Sequence, residues 1–120
     1  AHIPVDVFQA FGQAQVEQFI AKLLKLRIFS DEAGKMNRSV QDVRGGLLIV
    51  SQFTLAADLR GGNRPSFSAA APPDQGRALY EAVLACARRQ HPGVEAGIFA
   101  ADMQVHLVND GPVTIPMHIA

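Results

Sequence analysis

A short apolar run, Leu47 to Val50, constrains the fold of this chain more than any other stretch. The run carries no polar side chain, and Gly45 and Gly46 precede it. A strand with one wet face alternates apolar and polar residues, whereas a short continuous apolar run is typical of a strand buried on both faces. We therefore predict a central strand here, with other elements covering it.

Polar residues follow this strand directly, in the sequence Ser51-Gln52-Phe53-Thr54-Leu55. Side chains at the end of a central strand are held in position by the sheet, so binding and catalytic residues are often found there. A second interpretation is that Ser51, Gln52 and Thr54 only satisfy local backbone groups where the chain leaves the core. Position alone makes the stretch a candidate site.

Two amphipathic helices are predicted, one before and one after the central strand. From about Gln13, apolar side chains recur at helical spacing. Pro72-Pro73-Asp74 opens the second helix, because proline is tolerated in a first turn and a carboxylate is favourable at the positive end. Pro92-Gly93 ends it. The predicted apolar stripes are Val16, Phe19, Ile20, Leu23 and Leu24 in the first helix, and Leu79, Tyr80, Val83, Leu84 and Ala87 in the second.

Shorter segments complete the predicted fold. Leu26 to Phe29 changes towards strand character, Gly34 suits a left-handed turn position, and Met36 to Val40 can return as a short strand. Ala56 to Ala71 is predicted to be a long loop. We predict an α/β fold of the α+β type for residues 1–120: one domain of mixed-sheet or barrel-like strands packed with two main helices.

A turn at Asn109-Asp110-Gly111-Pro112-Val113-Thr114 separates two apolar stretches near the C-terminus. Asp-Gly between such stretches indicates a hairpin, so Ile98 to Val108 and Val113 to Ile119 are predicted to be strands. Pro112 removes an N–H donor where pairing should begin, and X-Pro bonds are the ones commonly found in the cis form. The turn either presents its backbone to a ligand or to another subunit, or is an ordinary turn beside an edge-strand proline.

The composition of the 120-residue chain is that of a globular protein, with 48% hydrophobic and 18% charged residues. A formal net charge of zero indicates that any contact with nucleic acid is small and local. The single cysteine, Cys86, is interpreted as a core residue in a reducing compartment. The histidines have no metal-ligand spacing, so neither a metal nor a cofactor is expected. We expect a cytoplasmic protein without a membrane segment.

Two motifs stand out from the rest, SQFTL at 51–55 and NDGPVT at 109–114. Together with four others they resemble the D-aminoacyl-tRNA deacylases (the D-tyrosyl-tRNA deacylase family), in the standard bacterial and eukaryotic form. The resemblance runs from about Leu23 to Thr114. Family members begin with further strands before the first helix, and residues 1–12 do not match them, so we expect this domain to lack the family's N-terminal strands. The four accompanying motifs are Arg27-Ile28-Phe29, Gly34-Lys35-Met36-Asn37, Arg64-Pro65-Ser66-Phe67 and Phe99-Ala100-Ala101-Asp102-Met103.

The resemblance implies a hydrolase that cleaves the ester between a D-amino acid and the terminal adenosine of tRNA. Glycyl-tRNA mischarged on tRNA-Ala is an implied second substrate. The family is homodimeric, and a Gly-cis-Pro turn, Gly111-Pro112 here, enters the partner's pocket and excludes L-amino acids by its main-chain carbonyls. Asn109 opens the same signature.

The same resemblance assigns roles within the pocket. Ser51, Gln52, Phe53 and Thr54 would line the ester, with the backbone N–H groups of Phe53 and Thr54 stabilising the developing oxyanion. The adenine would be held by Phe99 and Met103. Thr54 has no general base near it in sequence, so we expect positioning catalysis in which the ribose 2′-hydroxyl of the tRNA assists water.

Two other hypotheses stay open beside the esterase. One is an RNA-end binding module of the same fold, catalytically impaired by an altered N-terminus. The other is a structural dimer in which the Gly-Pro turn only locks the interface. The esterase would turn over D-aminoacyl-tRNA, whereas the RNA-end binding module would bind it without turnover.

Overall fold

The computed structural model describes residues 2–7 and 13–119 of the chain. Within these ranges no helix is long and apolar enough to cross a lipid bilayer. The elements in chain order are β1 (His2–Val7), α1 (Gln13–Lys25), β2 (Phe29–Ser30), β3 (Met36–Arg38), β4 (Gly46–Ser51), a 3-10 turn (Phe53–Ala56), α2 (Pro73–Gln90) and β5 (Val94–Ala96).

The main sheet is parallel, with strand order β1-β4-β5, so the prediction of β4 as the central strand is confirmed. Val5 of β1 is opposite Ile49, and Glu95 of β5 is opposite Leu48. Neighbouring parallel strands need a crossover connection, usually a helix. α1 lies between β1 and β4 in the chain, and α2 lies between β4 and β5.

The hydrophobic core lies between the two helices and one face of β4. Leu47 and Ile49, which alternate onto that face, are 1% and 0% exposed and belong to one cluster with both helices. Cys86 is buried in the same cluster, so its interpretation as a core residue is confirmed. Val50, on the opposite face, is also buried, and Leu48 is half-buried. The helix residues buried in the cluster are Val16, Phe19, Ile20, Leu23 and Leu24 of α1, and Tyr80, Val83, Cys86 and Ala87 of α2.

β1 is a strand that the sequence did not predict. Ile3, Val5 and Val7 alternate as a strand requires, but Pro4 weakened the pattern. β1 is an outer strand of the sheet, and an edge is where a residue without an N–H group is tolerated. The remaining residues of the unpatterned N-terminal stretch, 1 and 8–12, lie outside the described residues.

The predicted C-terminal hairpin is wrong for the described residues. The last regular strand is β5, and neither 98–108 nor 113–119 forms a regular strand. Most of the large apolar side chains in these two segments are exposed. A strand requires a hydrogen-bonding neighbour, and Pro112 and Pro116 each remove a donor from the region where the hairpin would pair.

β2 and β3 form a separate antiparallel ribbon, whose turn contains Gly34 at a φ of 77° as predicted. The Asp31 carboxylate closes this turn by accepting hydrogen bonds from the Asn37 side chain and from the backbone N–H groups of Lys35 and Ala33. These bonds, the one from Asn37 first, hold the pKa of Asp31 below its ordinary value.

The mixed α/β class with two main helices is therefore confirmed, but the barrel-like arrangement is wrong. A barrel closes only when its first and last strands pair. In the described part of the chain, β1 and β5 each pair with β4 and not with one another, so the sheet is open.

Candidate functional site

The candidate site begins where β4 ends. Ser51 is the last residue of the central strand, and Gln52 leads from it into the 3-10 turn. Ligands of open parallel sheets bind at the carboxyl ends of the strands, because the loops that leave the strands there form a crevice. The predicted stretch 51–54 thus lies at the edge of the sheet where a site is expected.

The 3-10 turn orders the polar groups of this stretch. The side-chain amide of Gln52 donates to the hydroxyl of Thr54, and the Thr54 carbonyl accepts the N–H of Ala57 at 3.1 Å. The N–H of Leu55 donates to the Gln52 carbonyl at 3.3 Å. By contrast, the N–H groups of Phe53 and Thr54 make no hydrogen bond to the described residues. These two adjacent donors are available to a carbonyl oxygen outside the chain.

The loop after the 3-10 turn folds back on it. Asp58 and Ser66 exchange two backbone hydrogen bonds of 2.8 and 2.9 Å, and the rings of Phe53 and Phe67 meet edge to face with centroids 5.0 Å apart. Arg60 forms a two-point pair with the Asp58 carboxylate, at 3.0 and 2.8 Å. That pair lowers the pKa of Asp58, chiefly through the Arg60 side chain.

Phe99 lies against one turn of α2. Its ring centroid is 6.0 Å from that of Tyr80, and the guanidinium carbon of Arg77 is 4.9 Å from its centre. Gly76 makes this approach possible, because a Cβ there would lie 3.3 Å from the edge of the Phe99 ring. The ring is half-buried, so part of it still faces solvent.

Met103 packs beside the same segment. Its sulfur accepts the N–H of Ile98 at 3.3 Å, and a Cβ on Gly97 would lie 2.7 Å from that sulfur. The N–H of Gly97 donates to the Ile49 carbonyl at 3.0 Å, two residues before Ser51. Phe99 and Met103 are therefore held near the carboxyl end of β4 through Gly97.

Tyr80 links these parts, and its hydroxyl was not among the site groups predicted from the sequence. Its oxygen lies 2.8 Å from the carbonyl oxygens of both Ile49 and Gly97. A phenol has one hydrogen, so it is shared between the two acceptors. Burial raises the pKa of Tyr80. A tyrosine in the apolar stripe of a helix is the signal for such a link, because a buried hydroxyl needs a partner.

The Gly-Pro turn, unlike Phe99 and Met103, is not held against the end of β4 in the described structure. Gly111 and Pro112 are joined by a cis bond, and Gly111 has a φ of 136°, which favours glycine. A Cβ there would lie 3.2 Å from Val113. Asn109, Gly111 and Pro112 are exposed, and the structure shows no hydrogen bond between these described residues and the 51–54 stretch.

Fold and site together define an α/β protein with a pair of unused backbone donors and an aromatic platform at the carboxyl edge of its central strand. Residues 2–118 match the family described as D-Tyr-tRNA(Tyr) deacylase, and the chain belongs to that family. The resemblance noted in the sequence is thereby confirmed.

Relatives of known name agree with the assignment. The chain is 71% identical over 114 residues to a D-aminoacyl-tRNA deacylase of Polaromonas naphthalenivorans, covering 91% of this chain and 74% of that protein. It is also 71% identical over 108 residues to a D-aminoacyl-tRNA deacylase of Paracidovorax citrulli, covering 90% of this chain and 70% of the relative.

Two solved structures are similar as well. A protein described as c-Myc DNA Unwinding Element Binding Protein superposes with a TM-score of 0.82 at 39% identity, over 95% of this chain and 78% of that one. A probable eukaryotic D-amino acid tRNA deacylase superposes with a TM-score of 0.65 over 84% of this chain and 75% of that one. At 16% identity, the second shows likeness of fold alone.

Proposed function

We propose that this chain hydrolyses the ester bond between a D-amino acid and the 3′-terminal adenosine of tRNA, releasing free tRNA and the D-amino acid. The observation that carries the proposal is the position of Ser51-Gln52-Phe53-Thr54 at the carboxyl end of β4, within the stretch that matches the deacylase family. The close relatives bear the name D-aminoacyl-tRNA deacylase, which is a hydrolase.

The reaction needs a group that stabilises the negative charge on the ester oxygen. The two N–H groups of Phe53 and Thr54 suit that oxyanion, because they are adjacent and have no acceptor among the described residues. Ser51 and Gln52 line the same edge. Water attacks the carbonyl carbon, the bond to the ribose oxygen breaks, and that oxygen takes up a proton as the amino acid leaves. The neighbouring 2′-hydroxyl of the substrate assists the water.

The Thr54 hydroxyl has a structural role in this proposal. It accepts a hydrogen bond from Gln52, which fixes the side chain over the 3-10 turn. The described ion pairs and hydrogen bonds include none between Thr54 and a histidine, aspartate or glutamate. A hydroxyl without an adjacent base is a poor nucleophile.

The terminal adenosine would lie on Phe99 and Met103. Both residues are held beside the end of β4, and the Phe99 ring remains partly open to solvent. An aromatic ring and a thioether hold a base by stacking and apolar contact, which requires no reading of the base edge.

The choice of D over L substrates is assigned to the turn of a second subunit. Gly111 and Pro112 are exposed in the single chain, and apolar residues on either side of them are exposed as well, which supports a homodimer in which the turn enters the partner's pocket. Main-chain carbonyls of the turn, with Asn109 opening it, would exclude an L side chain by collision. Glycine has no side chain to exclude, so glycyl-tRNA mischarged on tRNA-Ala is a second substrate. The partners are aminoacyl-tRNA and a second copy in the cytoplasm, and no membrane is involved.

The test is to incubate the protein with D-tyrosyl-tRNA and, separately, with L-tyrosyl-tRNA, and to follow loss of the ester against the spontaneous rate. Cleavage of only the D form is expected. Binding of D-tyrosyl-tRNA without cleavage would instead identify the RNA-end binding module. Equal cleavage of both forms would leave the esterase but remove the chiral role of the turn.

A further inference from the structure

Arg77 covers the ring on which the adenosine is proposed to lie. Its guanidinium carbon is 4.9 Å from the Phe99 centroid, within the range of a cation–π contact. Gly76 and Tyr80 contact the same ring from the same helix. One turn of α2 therefore forms the surface on which Phe99 packs, and Arg77 is the charged residue of that surface.

The charge of Arg77 has no ion-pair partner among the described residues. The ion pairs found there join Arg38 to Glu32, Arg60 to Asp58 and Arg89 to Glu17. Arg77 is exposed and is in none of these described pairs. A guanidinium on a ring face keeps its N–H groups at its edge, where they can form a two-point contact with a phosphate.

Arg60, in the loop after the 3-10 turn, is less suitable. Arg60 already gives two hydrogen bonds to Asp58. Asp74, in the first turn of α2, is the nearest acidic residue before Arg77 in the helix, and it makes no ion pair with Arg77 in the described structure.

We propose that Arg77 binds a backbone phosphate of the tRNA 3′ end, at the nucleotide whose base lies on Phe99. The inference rests on the proposed function, since that function places the adenosine at Phe99. Arg77 then has two functions. Its planar guanidinium packs on the Phe99 ring, and its positive charge binds the phosphate of the nucleotide. Arg77 is thus a substrate-binding residue that lies outside both signature motifs.

Three variants separate this role from simple packing. Arg77→Gln removes the charge and keeps a planar polar end, whereas Arg77→Lys keeps the charge and loses the planar fork. Lys35→Gln is the matched control, because it removes one positive charge from the exposed turn of the β2–β3 ribbon, where only the Lys35 backbone makes a hydrogen bond. Each protein is assayed with D-tyrosyl-tRNA and, for binding alone, with uncharged tRNA over a range of salt concentrations.

We expect Arg77→Gln to raise KM roughly threefold to tenfold at 0.1 M salt with little change in kcat, as loss of one phosphate contact requires. The slope of log affinity against log salt should fall by about 0.7, the value for one contact to a single strand. Arg77→Lys should keep the slope, and Lys35→Gln should match the wild type in both measurements.

The inference is overturned if Arg77→Gln keeps the wild-type KM and salt slope. It is also overturned if both Arg77 variants lose affinity equally with an unchanged slope, because that result identifies ring packing as the only role. A wild-type protein that cleaves no D-aminoacyl-tRNA would refute the proposed function, and the salt slope for uncharged tRNA then decides the role of Arg77 by itself.

Discussion

The hydroxyl oxygen of Tyr80 lies 2.8 Å from the carbonyl oxygen of Gly97 and joins the middle of helix α2 to the segment that carries Phe99. The same hydroxyl lies 2.8 Å from the carbonyl oxygen of Ile49 in β4. One buried side chain thus connects the helix, the central strand and the segment after β5 through hydrogen bonds. The geometry of the proposed adenosine platform depends on this link.

Replacing Tyr80 by phenylalanine should lower the free energy of unfolding by about 1 to 2 kcal/mol, because buried carbonyl acceptors lose their donor. The midpoint of thermal unfolding measures the effect. Ser30→Ala, which removes an exposed hydroxyl from β2, should change stability by less than about 0.5 kcal/mol. Equal midpoints for Tyr80→Phe and the wild type would show that the hydroxyl contributes no net stability.

Alkaline pH should reduce the advantage of Tyr80 over phenylalanine. Burial raises the pKa of Tyr80 in the folded state, so its contribution is complete below the ordinary tyrosine pKa of about 10 and is lost as pH rises through the folded value. Unfolding midpoints of the wild type and Tyr80→Phe, measured between about pH 8 and 11, should converge at the upper end. A difference that stays constant over this range would contradict the assignment.

Thr54→Ala should keep most of the deacylase activity. The hydroxyl accepts a hydrogen bond from Gln52 and positions the turn, so its loss should cost less than about tenfold in rate, whereas loss of a nucleophile costs far more. Single-turnover hydrolysis of D-tyrosyl-tRNA is the measurement. A fall to the spontaneous rate would make Thr54 the nucleophile and reverse the proposed mechanism.

Gly97→Ala should weaken substrate binding with little effect on the chemical step. Its new Cβ would lie 2.7 Å from the Met103 sulfur, so the thioether must move from its place beside Phe99. We expect KM to rise while kcat changes little. Gly61→Ala is the control, because nothing lies within 4 Å of a Cβ at that position. An equal KM for both variants would show that Met103 does not contribute to adenosine binding.

Gly111→Ala should reduce the preference for D over L substrates. The φ of 136° at Gly111 is unfavourable for any residue with a Cβ, so the turn must change shape. Gly62→Ala is a matched control, since Gly62 is also exposed and has a φ of 123°. The ratio of D-tyrosyl-tRNA to L-tyrosyl-tRNA cleavage should fall only in Gly111→Ala. An unchanged ratio in both variants would remove the turn from chiral selection.

The helices and the central strand could be predicted from local patterns. α1 begins at Gln13 and α2 at Pro73, as helical spacing and the prolines indicated, and the apolar run at Leu47 is the middle strand. Each of these signals is contained within one segment. β1 was missed because Pro4 conceals its alternation, which only its place at the sheet edge makes compatible with pairing.

The C-terminal strands were predicted wrongly because alternation shows which side chains share one face of a segment. It does not show whether a neighbouring strand is present to pair with that segment. The segment 103–108 has the side chains of a strand, but in the described residues it has no ladder partner. The Ser51 stretch was placed correctly at the end of β4, since strand ends follow directly from the sequence. The contacts of Arg77 with Phe99 and of Tyr80 with Gly97 could not be predicted, because these residues are far apart in the chain and become neighbours only in the packed fold.

The place of β4 between two hydrogen-bonded neighbours has a consequence for how the molecule exchanges its amide hydrogens with heavy water. Protection is greatest where exchange requires global opening, and a strand paired on both edges is of that kind. The segment 98–119, which has no strand ladder, should exchange much sooner. Ser51 to Thr54, which are proposed to face the ester, should thus be attached to the slowest-exchanging part of the described residues, and Gly111 to one of the fastest. If a second subunit docks as proposed, new protection should be recorded at the turn while the label in β4 stays unchanged.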